Sequence, residues 1–117
     1  MAEGKWAEDM ACSYLRARGM QIVARNWRWR GGEVDVVARD GPALVFVEVK
    51  GRRGRGFGRP EEAVGPDKRR RLWQCARAFL QGHVGQVPVR FDVVAVGPDG
   101  VRHIQGAFGE EDVRQGG

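Results

Sequence analysis

The sequence predicts an α/β domain: a central mixed sheet of about five strands flanked by helices, in the order α-β-β-β-α-β-β. Three observations carry this reading. Two segments repeat apolar residues at three- and four-residue spacing, as a helix with one buried face does. Several short runs rich in valine read as strands. Turn signals built on glycine and proline separate them.

The elements follow in order. Over residues 3–18, Trp6, Ala7, Met10, Ala11, Tyr14 and Leu15 line one helical face. Gly19 is a natural helix stop. A short strand with Ile22 and Val23 is expected over Met20–Arg25. Val34–Arg39 and Ala43–Lys50 read as two more strands, and Asp40-Gly41-Pro42 between them signals a hairpin. Residues 51–65 form a Gly- and Arg-rich loop too long to be a mere connector. Pro66 suits the first position of a second helix. Leu72, Trp73, Ala76, Phe79 and Leu80 line one face of that helix, which ends near Gly82. Val87–Val96 is a further strand, and Val101–Gln105 a last one after the Gly97-Pro98-Asp99-Gly100 turn. The tail over 106–117 has no clear pattern and is expected to fray.

A chain of 117 residues is the size of one domain, and 1–117 reads as a single one. With 42% hydrophobic and 30% charged residues it is globular rather than disordered. No stretch approaches the ~20 apolar residues of a membrane span, and the N-terminus lacks the apolar region of a signal peptide. Cys12 and Cys75 lie far apart, which argues against a disulfide scaffold or a zinc site. A soluble, cytoplasmic protein without a membrane partner is expected.

The charge is uneven. Lys and Arg number 20 against 15 acids, a net of +5. From Gly51 to Arg71 eight cations (Arg52, Arg53, Arg55, Arg59, Lys68, Arg69, Arg70, Arg71) face three acids (Glu61, Glu62, Asp67), so this span alone holds the net charge. A local basic segment points to a polyanion such as nucleic acid, with a solvated Arg-rich surface as the alternative.

The strands carry acids where a covered sheet should not. Ala43–Lys50 is a nearly continuous apolar run interrupted by Glu48 and Lys50, which alternation puts on one face. Asp35 interrupts the preceding strand in the same way. A hairpin folded about Asp40-Gly41 sets Asp35 opposite Phe46 and Glu33 opposite Glu48, clustering Asp35, Glu48 and Lys50. A one-residue slip would send Asp35 to the other face. Two carboxylates drawn together repel and lose hydration. A divalent cation compensates, and Mg²⁺ favours oxygen donors. With a lysine beside it, such a site suits phosphodiester hydrolysis. A simple ion pair, Glu48–Lys50 or Asp35–Lys50, is the other reading of the same spacing. Glu8, at the edge of the first helix's apolar face, either looks toward the sheet or complements the helix dipole. Asp92 is a further strand acid, expected to pair with Arg90 or Arg102.

This pattern of a helix acid, then Asp, then Glu-x-Lys on a hairpin resembles the PD-(D/E)xK nuclease superfamily. More closely, the chain resembles the YraN family of predicted bacterial endonucleases, related to Holliday-junction resolvases. The matching stretches are Glu8 through Tyr14-Leu15, Arg25-Asn26, Gly32-Glu33-Val34-Asp35, Val45–Lys50 with Arg52, Phe57-Gly58, Pro60 through Val64, Lys68 and Arg90–Val94. The resemblance implies a restriction-endonuclease-like core and a Mg²⁺-dependent endonuclease acting on DNA, including branched DNA, with Mn²⁺ as a substitute. By position it implies Glu8, Asp35, Glu48 and Lys50 as the catalytic group. Asp35, Glu48, Glu8 and the Val49 carbonyl would be the metal ligands. It also implies a homodimer, since resolvases cut two strands symmetrically. A non-catalytic nucleic-acid-binding module with the same fold is the alternative. Two positions depart from the family pattern: Ala7 stands where Gly often precedes the helix glutamate, and Gly51 where Thr often follows the lysine.

The remaining features are less specific. The stretch Gly51 to Gly58 lacks the closing Gly-Lys-Ser/Thr of a P-loop. It either wraps a phosphate backbone or is a flexible surface loop. Arg52, Arg53, Arg55, Arg59, Lys68 and Arg69 are the candidate DNA contacts. Trp6 and Trp73 belong to helix core faces, and Trp27 and Trp29 are expected to pack under the sheet rather than stack on bases. His83 and His103 have no partner at metal spacing, and both cysteines read as small core residues.

Overall fold

The structure, a computed structural model, describes residues 2–51, 64–81 and 86–109. The element order is that expected from the sequence: α1 (Ala2–Ala17), β1 (Gln21–Trp29), β2 (Gly32–Asp40), β3 (Ala43–Gly51), α2 (Pro66–Leu80), β4 (Val89–Gly97) and β5 (Gly100–Phe108). The five strands form one sheet in the order β1-β2-β3-β4-β5. All neighbours are antiparallel except β3 and β4, whose parallel pairing needs the crossover that contains α2. The sheet is therefore mixed, with a helix on each face.

The helices end as their sequences direct. Gly19, at φ 90°, closes α1, and the Met20 N–H reaches the Leu15 carbonyl at 3.0 Å. Pro66 opens α2, and Gln81 caps it in the left-handed region.

Each face of the sheet has its own core. Ala7, Ala11, Cys12 and Leu15 of α1 pack on Val36, Ala38, Val45, Val47, Val94 and Val96. Leu72, Cys75, Ala76 and Leu80 of α2 pack on Val37, Leu44, Phe46, Phe91 and Val93. Because β2, β3 and β4 are covered on both sides, their valine runs lose the apolar-polar alternation of a one-sided sheet. Trp27, Trp29 and Trp73 pack against the α2-side core and Trp6 against the α1 side, as the sequence suggests.

Three expectations need correction. First, β1 runs on to Trp29 and β2 starts at Gly32, joined by a tight turn at Arg30 and Gly31 with φ of 45° and 77°. Positive φ at both central residues is what a type I′ hairpin turn demands, and Arg30 adopts it despite its side chain. Second, the β2–β3 turn is centred on Gly41-Pro42, with Asp40 paired to Ala43. Asp35 therefore falls level with Glu48 rather than Phe46. The error is two residues, so it leaves the faces unchanged. Third, β5 continues to Phe108 instead of fraying from Gly106. Phe108 is buried and stacks on Phe91 with ring centroids 4.7 Å apart. Burial of one aromatic at the strand's end outweighs its glycine-bearing, irregular sequence.

Strict alternation also fails within β2. Val34 packs with the α2-side core but Val36 with the α1-side core, although they are two residues apart. The faces exchange at Asp35. Opposite it on β1, between the pairs Arg25–Val36 and Trp27–Val34, lies Asn26 with φ 52°.

Candidate functional site

The site forms where β2 and β3 part. Their ladder ends at Val36–Val47, and beyond it the Asp35 carboxylate accepts the Val49 N–H at 2.7 Å. A side chain thus takes over a backbone position in the sheet. Glu48 is buried, 3% exposed, and its carboxylate is paired with Lys68 from the first turn of α2. Lys50 lies 3.6 Å from the same oxygen. Burial, and then the neighbouring Glu48 charge, push the Asp35 carboxyl up to about 7, against the pull of the Val49 N–H. Glu8 adds a weaker repulsion in the same direction.

Glu8 comes from α1 and is held from β1. Its Oε1 lies 3.5 Å from Arg25 Nη2, which also pairs with Asp9 at 2.8 Å. Its Oε2 accepts from Asn26 Nδ2 at 2.9 Å. The same Asn26 nitrogen donates to Glu33 Oε2 at 3.0 Å. Glu33, expected opposite Glu48, is instead linked through Asn26 to Glu8 and lies near Arg28.

Asp35, Glu48 and Lys50 are brought together. Glu8 faces Asp35 closely enough to raise its carboxyl, but its hydrogen bonds run to β1. Val49 enters through its N–H. Among the described residues, no three His, Cys, Asp or Glu side chains stand grouped to hold a metal ion. The acids instead carry protein cations: two lysines on Glu48 and an arginine on Glu8. The donors are nonetheless hard oxygens short of positive charge at Asp35, which is what a Mg²⁺ ion would supply.

Of the expected DNA contacts, Arg52, Arg53, Arg55 and Arg59 lie outside the described residues. So does His83. Lys68 and Arg69 turn inward. Lys68 pairs with Glu48. Arg69 donates from Nε to the Val64 carbonyl at 2.8 Å, and its guanidinium lies over the Phe108 ring. Both are half-buried on the first turns of α2, Lys68 against Glu48 of β3 and Arg69 against Phe108 at the end of β5.

Asp92 pairs as expected with Arg90, at 2.9 and 3.0 Å, and with more besides. His103 Nε2 lies 2.7 Å from its Oδ2, and the Gly106 N–H donates to its Oδ1 at 3.0 Å. Burial alone would raise this carboxyl. The donors outweigh it, and the group is held below the usual carboxylate range. The pairing register of β4 and β5 shifts here, and the Asp92 side chain takes up an unpaired N–H of β5. Asp92 thus serves the sheet.

Sequence reasoning missed Asn26, the pairing of His103 with Asp92, and the partnership of Lys68 with Glu48. The signal for Asn26 was a polar residue tolerant of positive φ inside a strand. Lys68 is 20 residues from Glu48, and nothing local connects them.

The segment that builds this site is also the segment shared with other proteins. The model of uncharacterised protein family UPF0102 matches residues 7–96, from the residue before Glu8 in α1 to near the end of β4. The chain belongs to this family. A family member from Acidothermus cellulolyticus is 47% identical over 92% of this chain and 93% of its own length. Members from Symbiobacterium thermophilum and Streptomyces griseus are 51% and 52% identical, covering 90% and 81% of this chain and 94% and 82% of their own. In this member of the family no helix among the described residues is long and apolar enough to cross a membrane.

Proposed function

We propose that the protein is a metal-dependent endonuclease that hydrolyses DNA phosphodiester bonds. The observation that carries this reading is the buried Glu48 carboxylate beside Asp35, with Lys50 at the same strand end. Asp35 and Glu48 would hold a Mg²⁺ or Mn²⁺ ion, with Glu8 and the Val49 carbonyl at its margin. When bound, Mg²⁺ polarises a phosphoryl oxygen and eases ionisation of water. Lys50 would neutralise charge that develops on the phosphate. The net charge of +5 favours a polyanionic substrate. Resemblance to junction resolvases points to branched DNA and to a homodimer that cuts both strands.

One observation favours a second reading, a nucleic-acid-binding module without catalysis. Glu48 is already satisfied by Lys68 and Lys50. The test is incubation of duplex, single-stranded and four-way-junction DNA with Mg²⁺ or Mn²⁺, wild type beside Asp35→Asn and Glu48→Gln. Metal-dependent cutting by wild type alone is expected. Salt-sensitive binding without cutting, unchanged in Asp35→Asn, would favour the second reading.

A further inference from the structure

We propose that Asn26 is a positioning residue, whose amide fixes Glu8 at the margin of the Asp35–Glu48 pair and whose left-handed backbone lets β2 exchange faces at Asp35, so that Asp35 reaches Glu48. The proposal rests on the metal-binding reading above and adds a residue to it.

The backbone points to Asn26 first. Of the described non-glycine residues with positive φ, Arg30 sits in a turn and Gln81 caps α2, whereas Asn26 (φ 52°) lies inside a strand. A left-handed residue interrupts a strand's pleat. Here the interruption is opposite Asp35, where the faces of β2 exchange. The kink and the site therefore coincide.

The side chain points the same way. Glycine would adopt this conformation without the steric conflict of a Cβ. An asparagine in its place brings an amide, and that amide uses its Nδ2 on two carboxylates at once, Glu8 at 2.9 Å and Glu33 at 3.0 Å. Glu33 is anchored in β2, next but one to Asp35. The amide thus ties an acid of α1 to the strand that carries Asp35. Arg25 occupies the other Glu8 oxygen, so both oxygens of this side chain are oriented from β1. Groups that orient metal-site carboxylates typically govern metal affinity by about 10–100-fold.

Replacement by glycine separates the two roles, because it keeps the backbone and removes the amide. Wild type, Asn26→Gly and Asn26→His would be compared by Mn²⁺ titration calorimetry and by urea unfolding. Histidine tolerates the same backbone region and restores an N–H donor. The expected result is a glycine variant at least as stable as wild type that binds Mn²⁺ about tenfold more weakly, with part of that loss recovered by histidine. Equal Mn²⁺ affinity in wild type and Asn26→Gly would overturn the proposal while leaving the metal reading intact. A loss of affinity accompanied by an equivalent loss of stability would overturn it too, making the amide a structural tie between α1 and β1. Wild type that binds no Mn²⁺ would overturn the metal reading, and the positioning role with it.

Discussion

Gly51 and Ala7 set how closely α1 approaches β3, and replacing Gly51 by alanine tests that contact. A Cβ on Gly51 would stand 2.7 Å from the Cβ of Ala7, with Trp6 ring carbons at 3.7 and 3.9 Å. Two carbons in ordinary contact lie about 3.5–4.0 Å apart. The helix must therefore lift by about 1 Å, or the strand end must bend. Overpacking of this kind costs about 1–3 kcal/mol. Ala7→Gly alone is expected to cost about 1 kcal/mol through helix propensity. In the double variant the methyl group moves from helix to strand and the clash disappears. The cost of the pair should then fall short of the sum of the single costs by about 1 kcal/mol or more. Urea unfolding followed by tryptophan fluorescence on the four proteins measures this. Additivity within about 0.5 kcal/mol would refute the argument, because it would mean that α1 is not held against β3 at this point. Ala7 and Gly51, where the resemblance leads one to expect Gly and Thr, are this same pair. Here the methyl group sits on the helix at Ala7, and the strand position facing it is bare.

Three further outcomes follow from the described contacts. Asp35 has a folded-state carboxyl raised to about 7 from 3.8, so its contribution to stability is full below about 3.8 and is lost as pH rises toward 7. Asp35→Asn should therefore become more stable than wild type over that window, by up to about 4 kcal/mol at 1.36 kcal/mol per unit. A gap that does not change between pH 4 and pH 8 in urea unfolding would contradict the burial and repulsion assigned to it. Asp92 behaves in the opposite sense: its lowered carboxyl stabilises the fold above the ordinary carboxylate range and ceases to do so as pH falls through its folded value. Asp92→Asn should cost about 3 kcal/mol at pH 7, with the deficit shrinking only below about pH 4; a deficit independent of pH down to 3 would show that ionisation plays no part. Finally, Phe108→Ala should cost about 3–5 kcal/mol, as for a buried aromatic. A thermal midpoint unchanged from wild type would mean that the end of β5 is not part of the core.

The candidate acids were legible because the strands around them are so apolar. Glu48 stands out within Ala43–Lys50, and Asp35 within Val34–Ala38, since a charge between valines needs a reason. Their proximity was legible too, because the hairpin is short and a two-residue error in its centre preserves the side-chain faces. Other parts of the site were hidden. Lys68 pairs with Glu48 across the crossover, and Arg69 lies over Phe108, which the sequence would assign to a loose tail. His103 reaches Asp92 from the neighbouring strand.

What the sequence determined by itself is local. Helical spacing, valine-rich runs, Gly19, Pro66 and the Asp40-Gly41-Pro42 turn signal set the elements and their order, because each depends on residues a few positions apart. The tertiary structure decided what depends on distant surfaces meeting. It chose the turn centre that brings Asp35 level with Glu48, and it carried β5 on to Phe108 because Phe91 offers a ring to stack on. It turned Asn26 left-handed opposite Asp35, where strict alternation would have kept Val34 and Val36 on one face. It also delivered two lysines to one buried carboxylate. A charge taken out of water must find its partner wherever the fold supplies one, and sequence spacing does not record that distance.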